Sequence, residues 1–214
     1  MEFLEPDLVN YCLKHSDPEP PLLQKLNRET HLKVLKPRML SGHLQGRFLA
    51  MISKLLRPVR ILEIGTYTGY SAICLAEGLS EKGKLHTIDN NEELKAMAEA
   101  YFKEAGLGDK IKMHIGAAQE VIPSLQEKWD LVFIDADKEN YSLYFDQVID
   151  QMQPGGLIIA DNVLWSGKVL GEAKNNDRST RALQAFNQKI QDDPRVENML
   201  LPLRDGLMMA RVKA

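Results

Sequence analysis

The spacing of hydrophobic positions changes after residue 58 of the chain. Before that point, apolar residues recur every four positions from Leu44 to Leu56, which predicts an amphipathic helix that Ser41 is placed to cap. Three prolines between residues 17 and 22 separate two earlier helical stretches. We therefore expect residues 1–58 to form a helical segment.

Beyond residue 58, short apolar runs alternate with stretches of helical pattern. The runs read VRILEI, KLHTID, KIKMHI, WDLVFID and GLIIAD, and the helices expected after them are 71–79, 92–105, 119–125, 141–152 and 178–191. Strands that are apolar throughout are typical of a parallel sheet covered by helices on both faces. Two last strands, 196–201 and 206–212, have no helix between them, so we expect one to run antiparallel. Residues 59–214 are thus predicted to form one doubly wound α/β domain.

Composition narrows the class of protein. The chain has 214 residues, of which 44% are hydrophobic and 27% charged, so it can bury a sizeable core and is not intrinsically disordered. Its longest uncharged apolar stretch, 64–76, is shorter than the roughly 20 residues of a membrane span. The N-terminus lacks the basic region of a signal peptide, and two cysteines make no disulfide framework. We therefore expect a cytoplasmic protein that does not enter membranes.

Basic residues are concentrated in one segment. Residues 25–60 contain nine Lys or Arg and one acidic residue, although the formal net charge of the chain is −3. Such a segment can attract a polyanionic partner. A solvated helical face is the simpler explanation, and the sequence leaves both open.

The first strand of the predicted sheet leads into a glycine-containing loop. Gly65 and Gly69 allow a tight turn, but their spacing is not the G-x-G-x-x-G of dinucleotide-binding proteins. Glu63, just before the loop, would repel a phosphate. A carboxylate there suits a cationic ligand, such as the amino group or sulfonium of S-adenosylmethionine.

The ends of the next two strands carry groups that suit a nucleoside. Asp89 ends the second strand and can accept hydrogen bonds from two ribose hydroxyls, and Gln119 follows the third strand, where it can bond an adenine edge. Asp89 can instead cap the helix that follows, and a glycine pair after a strand is often structural. The three strand ends together predict a nucleoside-type cofactor.

Acidic and amide side chains follow the fourth and fifth strands. Asp135 ends one strand, and Asp161 with Asn162 ends the other. Their oxygens are hard ligands that suit Mg²⁺, Mn²⁺ or Ca²⁺. Helix capping is the alternative, but apolar residues rather than a helix start follow Asn162. Lys138 can reach the same rim and is a candidate general base, the alternative being a surface ion pair.

Three aromatic residues are candidates to line a binding site for an aromatic substrate. Tyr67, Tyr70 and Trp165 lie in or after loops at the predicted strand ends, although ordinary packing would also explain them. Glycines within 165–176 permit that segment to act as a lid. The five histidines have no paired spacing, which disfavours a histidine-based metal site or triad.

Seven motifs together resemble one enzyme family. They read MLSGHLQGRFL, LEIGTYTGYSA, TIDNN, GAAQE, FIDADKENY, DNVLWSGKV and DDPRVENMLLPLRDGLMMARV. From about residue 39 onward the chain resembles the cation-dependent O-methyltransferases, which include catechol and caffeoyl-CoA O-methyltransferases. The resemblance implies a Rossmann-like, seven-stranded class I methyltransferase fold, S-adenosylmethionine as methyl donor, a divalent cation and a homodimer.

The resemblance also implies roles for individual residues. Asp135, Asp161 and Asn162 would be the metal ligands, Lys138 the base, and Trp165 would lie against the acceptor. The cofactor would be held by Met39, Ser41, Glu63, Gly65, Tyr67, Ser71, Asp89, Ala118, Gln119 and Asp135. The chain departs from the family pattern at Arg204, where many relatives have glycine before the aspartate.

The expected activity is metal-dependent methylation of a small aromatic with two neighbouring hydroxyls, a catechol-like or caffeoyl-like phenol. The alternative within the same family is methylation of 5-hydroxyuridine in tRNA, which the basic segment 25–60 would favour. A cofactor-binding protein without catalysis is disfavoured, since the metal ligands and Lys138 are all present. A nicotinamide-dependent oxidoreductase is disfavoured by the missing G-x-G-x-x-G motif.

Overall fold

The computed structural model describes residues 5–213 and has the predicted alternation of strands and helices. The strands are β1 (Arg60–Ile64), β2 (Lys84–Asp89), β3 (Ile111–Ile115), β4 (Trp129–Ile134), β5 (Met152–Asp161), β6 (Val196–Leu201) and β7 (Leu207–Val212). The α-helices are α1 (Pro6–Lys14), α2 (Pro21–Lys33), α3 (Gly42–Leu56), α4 (Tyr70–Ala76), α5 (Lys95–Glu104), α6 (Ala118–Val121), α7 (Tyr141–Ile149) and α8 (Arg178–Asp192). Short 3-10 helices span Pro37–Met39, Glu92–Leu94, Ile122–Ser124, Lys138–Asn140 and Trp165–Leu170.

The strands form one seven-stranded sheet in the order β3-β2-β1-β4-β5-β7-β6. Strands β1 to β5 pair in parallel, whereas β7 runs antiparallel to both β5 and β6. The predicted doubly wound α/β fold is confirmed, as is the single antiparallel strand near the C-terminus.

Helices cover both faces of the sheet. In β4, Val132 and Ile134 belong to a core that includes α7 and α8, while Leu131 and Phe133 belong to a second core with α3, α4 and α5. All four side chains are fully buried. Alternate residues of a strand point to opposite faces, so a central strand that is apolar throughout fills both cores.

The N-terminal helices pack directly on the second core. Leu26 of α2 and Leu49 of α3 are fully buried in the same cluster as Ile61 of β1. The predicted boundary at residue 58 lies in the short link between α3 and β1. Ser41 does occupy the position before α3, but its side chain makes no capping hydrogen bond, so its predicted capping role is wrong.

One element boundary differs clearly from the prediction. The helix expected over 141–152 ends at Ile149, and β5 begins at Met152, four residues before the predicted strand. Gly155 has a φ of +78°, and the pairing of β4 with β5 shifts register there. A bulge of this kind lets the strand start early in spite of Pro154. Within residues 5–213, no helix is long and apolar enough to cross a membrane.

Candidate active site

The site lies where the order of the parallel strands reverses, between β1 and β4. Ile64 pairs with Ile134 in the sheet, so the loops that follow these strands begin side by side. Gly65 has a φ of +103°, and a Cβ placed there would lie 1.9 Å from the backbone oxygen of Asp135. Only glycine fits this position, which agrees with its predicted place in a ligand-binding loop.

A cavity of about 1490 Å³ opens at this edge of the sheet. It is lined by ten of the predicted site residues: Met39, Ser41, Gly65, Tyr67, Ser71, Asp135, Lys138, Asp161, Asn162 and Trp165. Four others lie outside its lining: Glu63, Asp89, Ala118 and Gln119. The structure therefore brings together the predicted metal ligands, base and aromatic wall, but only part of the predicted cofactor set.

Glu63 is fully buried directly behind the cavity. Thr87 donates a hydrogen bond from its hydroxyl to Oε2 of Glu63 at 2.5 Å, while Oε1 is buried without a hydrogen-bond partner. Burial raises the pKa of this carboxyl to about 8. An unpartnered carboxylate oxygen fits the cationic amino group that the sequence predicts as its ligand.

Asp89 organises the first loop of the sheet. Its Oδ2 accepts a hydrogen bond from the backbone N–H of Tyr67 at 2.7 Å, and its Oδ1 accepts one from Asn91 at 2.9 Å. The alternative that Asp89 caps the next helix is wrong, because the side chain of Asn91 takes that position. Ala118 is buried at the start of α6, and the neighbouring Gln119 is exposed.

Asp161 is the most buried of the three predicted metal ligands. Its Oδ2 accepts a hydrogen bond from Nε2 of Gln45 at 2.7 Å, and its Oδ1 accepts one from the backbone of Asn162 at 2.7 Å. Burial and the nearby charge of Asp135 raise the pKa of Asp161 to about 6. Two neighbouring carboxylates and an amide form a donor set that fits a hard divalent cation. Along residues 5–213 no cluster of three His, Cys, Asp or Glu side chains is placed to hold a metal, so a site here depends on the Asn162 amide.

Lys138 is held inside the cavity by two side chains. Its Nζ lies 3.1 Å from Oδ1 of Asp135 and 2.6 Å from the phenolic oxygen of Tyr141. Lys138 does form an ion pair with Asp135, but only 9% of the lysine side chain is exposed, so it is not the surface pair of the alternative interpretation. The Tyr141 hydroxyl donates to the backbone oxygen of Asp161 at 3.0 Å. Burial and the charges of Asp135 and Asp161 raise the pKa of Tyr141 well above its ordinary value, so it stays a donor.

The family model described as O-methyltransferase matches residues 13–213. The chain belongs to the O-methyltransferase family. This confirms the predicted family and the predicted class of enzyme.

Two curated relatives illustrate the breadth of the O-methyltransferase family. Caffeoyl-CoA O-methyltransferase of Petroselinum crispum is 36% identical over 216 residues, which cover 95% of this chain and 90% of the relative. Catechol O-methyltransferase of Niastella koreensis is 34% identical over 178 residues, which cover 79% of this chain and 80% of the relative. The chain is thus similar both to a plant and to a bacterial member.

A solved O-methyltransferase has the same architecture. The enzyme from Bacillus cereus, solved in complex with SAH, superposes with a TM-score of 0.87 at 30% sequence identity and covers 97% of both chains. SAH is the product left when S-adenosylmethionine gives up its methyl group. The class I methyltransferase fold predicted for this chain is therefore confirmed.

The three aromatic residues predicted to line the site of this O-methyltransferase, Tyr67, Tyr70 and Trp165, all border the cavity. The Tyr67 hydroxyl donates to the backbone oxygen of Lys36 at 3.0 Å, and the Tyr70 hydroxyl donates to Glu19 at 2.5 Å. These bonds tie the N-terminal segment to the loop after β1 and to the start of α4. Trp165 also lines the cavity, and its indole nitrogen is buried without a partner. These three aromatic side chains therefore line the cavity and also pack within the fold.

Several lining residues have left-handed backbone conformations. Tyr67, Asn162, Trp165, Ser166 and Arg204 have φ between +48° and +61°. Such conformations are uncommon for residues other than glycine and concentrate at functional sites. The strained positions mark three loops, after β1, after β5 and between β6 and β7, that shape the cavity.

Ion pairs engage just over half of the cations in the basic segment. Five of its nine cations pair with carboxylates: Lys25 with Glu104, Lys33 with Glu29, Arg47 and Lys54 with Glu77, and Arg60 with Glu127. Lys36 and Arg38 lie on the cavity lining instead. Only three of the four carboxylates come from outside the segment, so these pairs lower its net charge from +8 to +5.

Gln45 and Tyr141 belong to the site but were not predicted from the sequence, although both lie inside the motifs that resemble the family. Gln45 is fully buried and contacts Asp161 from a helix 116 positions earlier in the chain. Tyr141 contacts Lys138 from three positions later. The spacing of Lys138 and Tyr141 is a signal that was available, since residues three apart share one face of a helix. Nothing in the local sequence pairs Gln45 with Asp161.

Proposed function

We propose that this O-methyltransferase transfers a methyl group from S-adenosylmethionine to a hydroxyl of a small catechol-like phenol, with the help of a divalent cation. The observation that carries the proposal is the convergence of Asp135, Asp161, Asn162 and Lys138 on one cavity. The similarity to caffeoyl-CoA and catechol O-methyltransferases supports the acceptor class.

Three side chains would hold the cation. Asp135 and Asp161 end adjacent parallel strands, and Asn162 follows directly. Burial and the charge of Asp135 raise the pKa of Asp161, and a bound cation would offset both effects. When bound, the cation would supply Lewis-acid polarisation of two neighbouring oxygens of the acceptor.

Lys138 would take the proton from the acceptor hydroxyl at its Nζ. Asp135 and Tyr141 hold that nitrogen in place from two directions, and both also border the proposed metal site. Low exposure of the lysine keeps bulk water from competing for the proton. We expect the protein to contribute by holding the base and the acceptor hydroxyl in a geometry suited to proton transfer.

The donor would lie along the loop after β1. Glu63 would accept the donor's amino group at its unpartnered Oε1, and the absence of a Cβ at Gly65 leaves room for a close backbone approach. Ser71 lines the cavity beside this loop, and Met39 and Ser41 would cover the donor from the N-terminal side. This arrangement would point the methyl group toward the acceptor hydroxyl near Lys138.

A small phenol is favoured over tRNA as the acceptor. Five of the nine cations of the basic segment are paired with carboxylates, which weakens this segment as a surface for phosphate contacts, on which nucleic-acid affinity depends. Tyr67 and Trp165 give the cavity aromatic walls that suit a planar ring. tRNA 5-hydroxyuridine remains the second candidate, because Lys36 and Arg38 border the cavity.

We further propose that the enzyme works as a cytoplasmic homodimer. Met51 and Leu55 lie one turn apart on the outer face of α3 and are 65% and 76% exposed. A second copy that covers this apolar face would remove it from water. Light scattering of the wild type and of a Leu55→Glu variant tests this, since the variant should be monomeric.

The function is tested by methyl transfer from labelled S-adenosylmethionine to caffeic acid, with added Mg²⁺ and with EDTA. The proposal predicts labelled product in Mg²⁺ and none in EDTA. Equal turnover in both conditions would contradict the role of the metal. A parallel reaction tests tRNA as the acceptor, with one tRNA that contains 5-hydroxyuridine and one whose wobble uridine is unmodified. Label found only in tRNA would contradict a small phenol as the acceptor.

A further inference from the structure

Arg204 occupies an unusual place in the fold. It lies in the loop between β6 and β7 with a φ of +51°, a left-handed conformation that favours glycine. Its guanidinium reaches across the cavity rim to the segment before α3. There Nη1 donates to the backbone oxygens of Leu40, at 3.1 Å, and Ser41, and to Oε1 of Gln45 at 3.2 Å.

Gln45 connects this arginine to Asp161. A guanidinium can only donate hydrogen bonds, so the Gln45 amide must turn its oxygen toward Arg204. Its Nε2 then points to Oδ2 of Asp161, at 2.7 Å. Gln45 is fully buried, so no water can replace either contact. The arginine therefore determines which end of the amide meets the carboxylate.

We infer that Arg204 and Gln45 are positioning residues that hold the Asp161 carboxylate in the orientation needed to bind a metal ion. The inference rests on the proposed metal site. Gln45 links Arg204 to Asp161 and has no hydrogen bond to the donor side, whereas Arg204 also holds the backbone of Leu40 and Ser41, which border the cavity there. The two residues therefore differ in what their removal should disturb.

This difference predicts a distinct pattern of binding defects. Loss of a residue that orients a metal ligand typically weakens metal binding about 10–100-fold. Gln45→Met keeps the side-chain length and removes both hydrogen bonds, so it should weaken metal binding and leave donor binding unchanged. Arg204→Ala should weaken both, because it also frees the segment at Leu40 and Ser41.

The experiment measures Mn²⁺ binding by electron paramagnetic resonance and SAH binding by calorimetry on the full chain. For Gln45→Met we expect a Mn²⁺ dissociation constant raised at least about tenfold and an SAH dissociation constant within about twofold of wild type. For Arg204→Ala both constants should rise. Turnover of Gln45→Met should return toward the wild-type rate at saturating metal, which a folding defect would not allow.

Two further variants control for structural effects. Arg211→Ala removes an arginine that pairs with Glu197 on the exposed side of β7, and it should bind both ligands as the wild type does. Arg204→Gly removes the same side chain as Arg204→Ala but relieves the left-handed backbone, so equal binding defects in both identify the side chain as the cause. If Gln45→Met fails to fold, the Mn²⁺ affinity of Arg204→Gly still tests the positioning role.

Two results would overturn parts of this account, and they can be told apart. If the wild type binds Mn²⁺ and both Gln45→Met and Arg204→Gly bind it equally well, the positioning role is wrong and the metal site stands. If the wild type binds no Mn²⁺ at millimolar concentration, the proposed metal site itself is wrong, and the positioning role is wrong with it.

Discussion

The Nζ of Lys138 lies 2.6 Å from the phenolic oxygen of Tyr141, inside the cavity at the carboxyl edge of the sheet. The same hydroxyl donates to the backbone of Asp161. Tyr141 thus ties the candidate base to the strand end that carries two candidate metal ligands. Asp135, Lys138 and Tyr141, which lie within one short sequence motif, therefore form a connected hydrogen-bonded unit in the fold.

Removal of the Tyr141 hydroxyl should lower turnover without preventing folding. Tyr141→Phe leaves Lys138 with one partner and the Asp161 carbonyl without its donor, so we expect kcat to fall about tenfold and the unfolding free energy to fall by about 1–2 kcal/mol. Steady-state kinetics and urea unfolding measure these effects. Tyr144→Phe, which removes a hydroxyl bonded to Asp137, is the matched control and should keep kcat. Equal kcat in Tyr141→Phe and wild type would contradict the role of Tyr141.

Glu63 should make stability depend on pH. Its pKa is raised to about 8 in the fold from an ordinary 4.5, so the folded protein keeps a proton that the unfolded chain has lost between these values. Stability of the wild type should therefore decline as pH rises through that window. Glu63→Gln is always neutral, and its advantage in unfolding free energy should grow with pH, to at least about 1 kcal/mol near pH 8.

The same Glu63→Gln variant tests the donor site. Gln cannot offer a charge to the amino group of the donor, so we expect SAH affinity to fall about tenfold while stability without ligand rises. Urea unfolding at several pH values and calorimetry with SAH measure the two effects. A stability difference that stays constant with pH, or an unchanged SAH affinity, would contradict this account of Glu63.

Gly65 should tolerate no side chain. In Gly65→Ala the new Cβ would lie 1.9 Å from the backbone oxygen of Asp135 at a φ of +103°, so we expect a loss of roughly 3 kcal/mol or more in unfolding free energy. Gly171→Ala is the control, because no atom lies within 4 Å of its Cβ position. That variant should stay within about 0.5 kcal/mol of wild type. Equal stability of the two variants would argue against a close contact between the two loops.

Local pattern was sufficient to predict the sheet and the acids at its edge. Asp135 and Asp161 follow apolar runs, and parallel strands bring their carboxyl ends to one edge, so their proximity follows from the fold class alone. The start of β5 was not predictable in this way, because the bulge at Gly155 depends on pairing with β4. The predicted helix cap by Ser41 failed because its φ of −57° and ψ of −36° are helical, whereas a capping residue has an extended backbone.

Contacts between distant segments account for the rest of what the sequence could not predict. Gln45 and Asp161 are 116 positions apart, and Arg204 is 159 positions from Gln45. No period or motif relates such residues. Arg204 was visible only as a departure from the family pattern, and its meaning became clear from the three oxygens that it contacts.

The most direct test of the central claim is Asp161→Ala, assayed for Mg²⁺-dependent methyl transfer and, in parallel, for SAH binding. The variant removes a carboxylate that is 2% exposed and lies on the proposed metal site, while the loop after β1 stays intact. We predict no metal-dependent turnover together with SAH affinity close to that of the wild type. Full activity of Asp161→Ala in Mg²⁺ would contradict the assignment of the metal site.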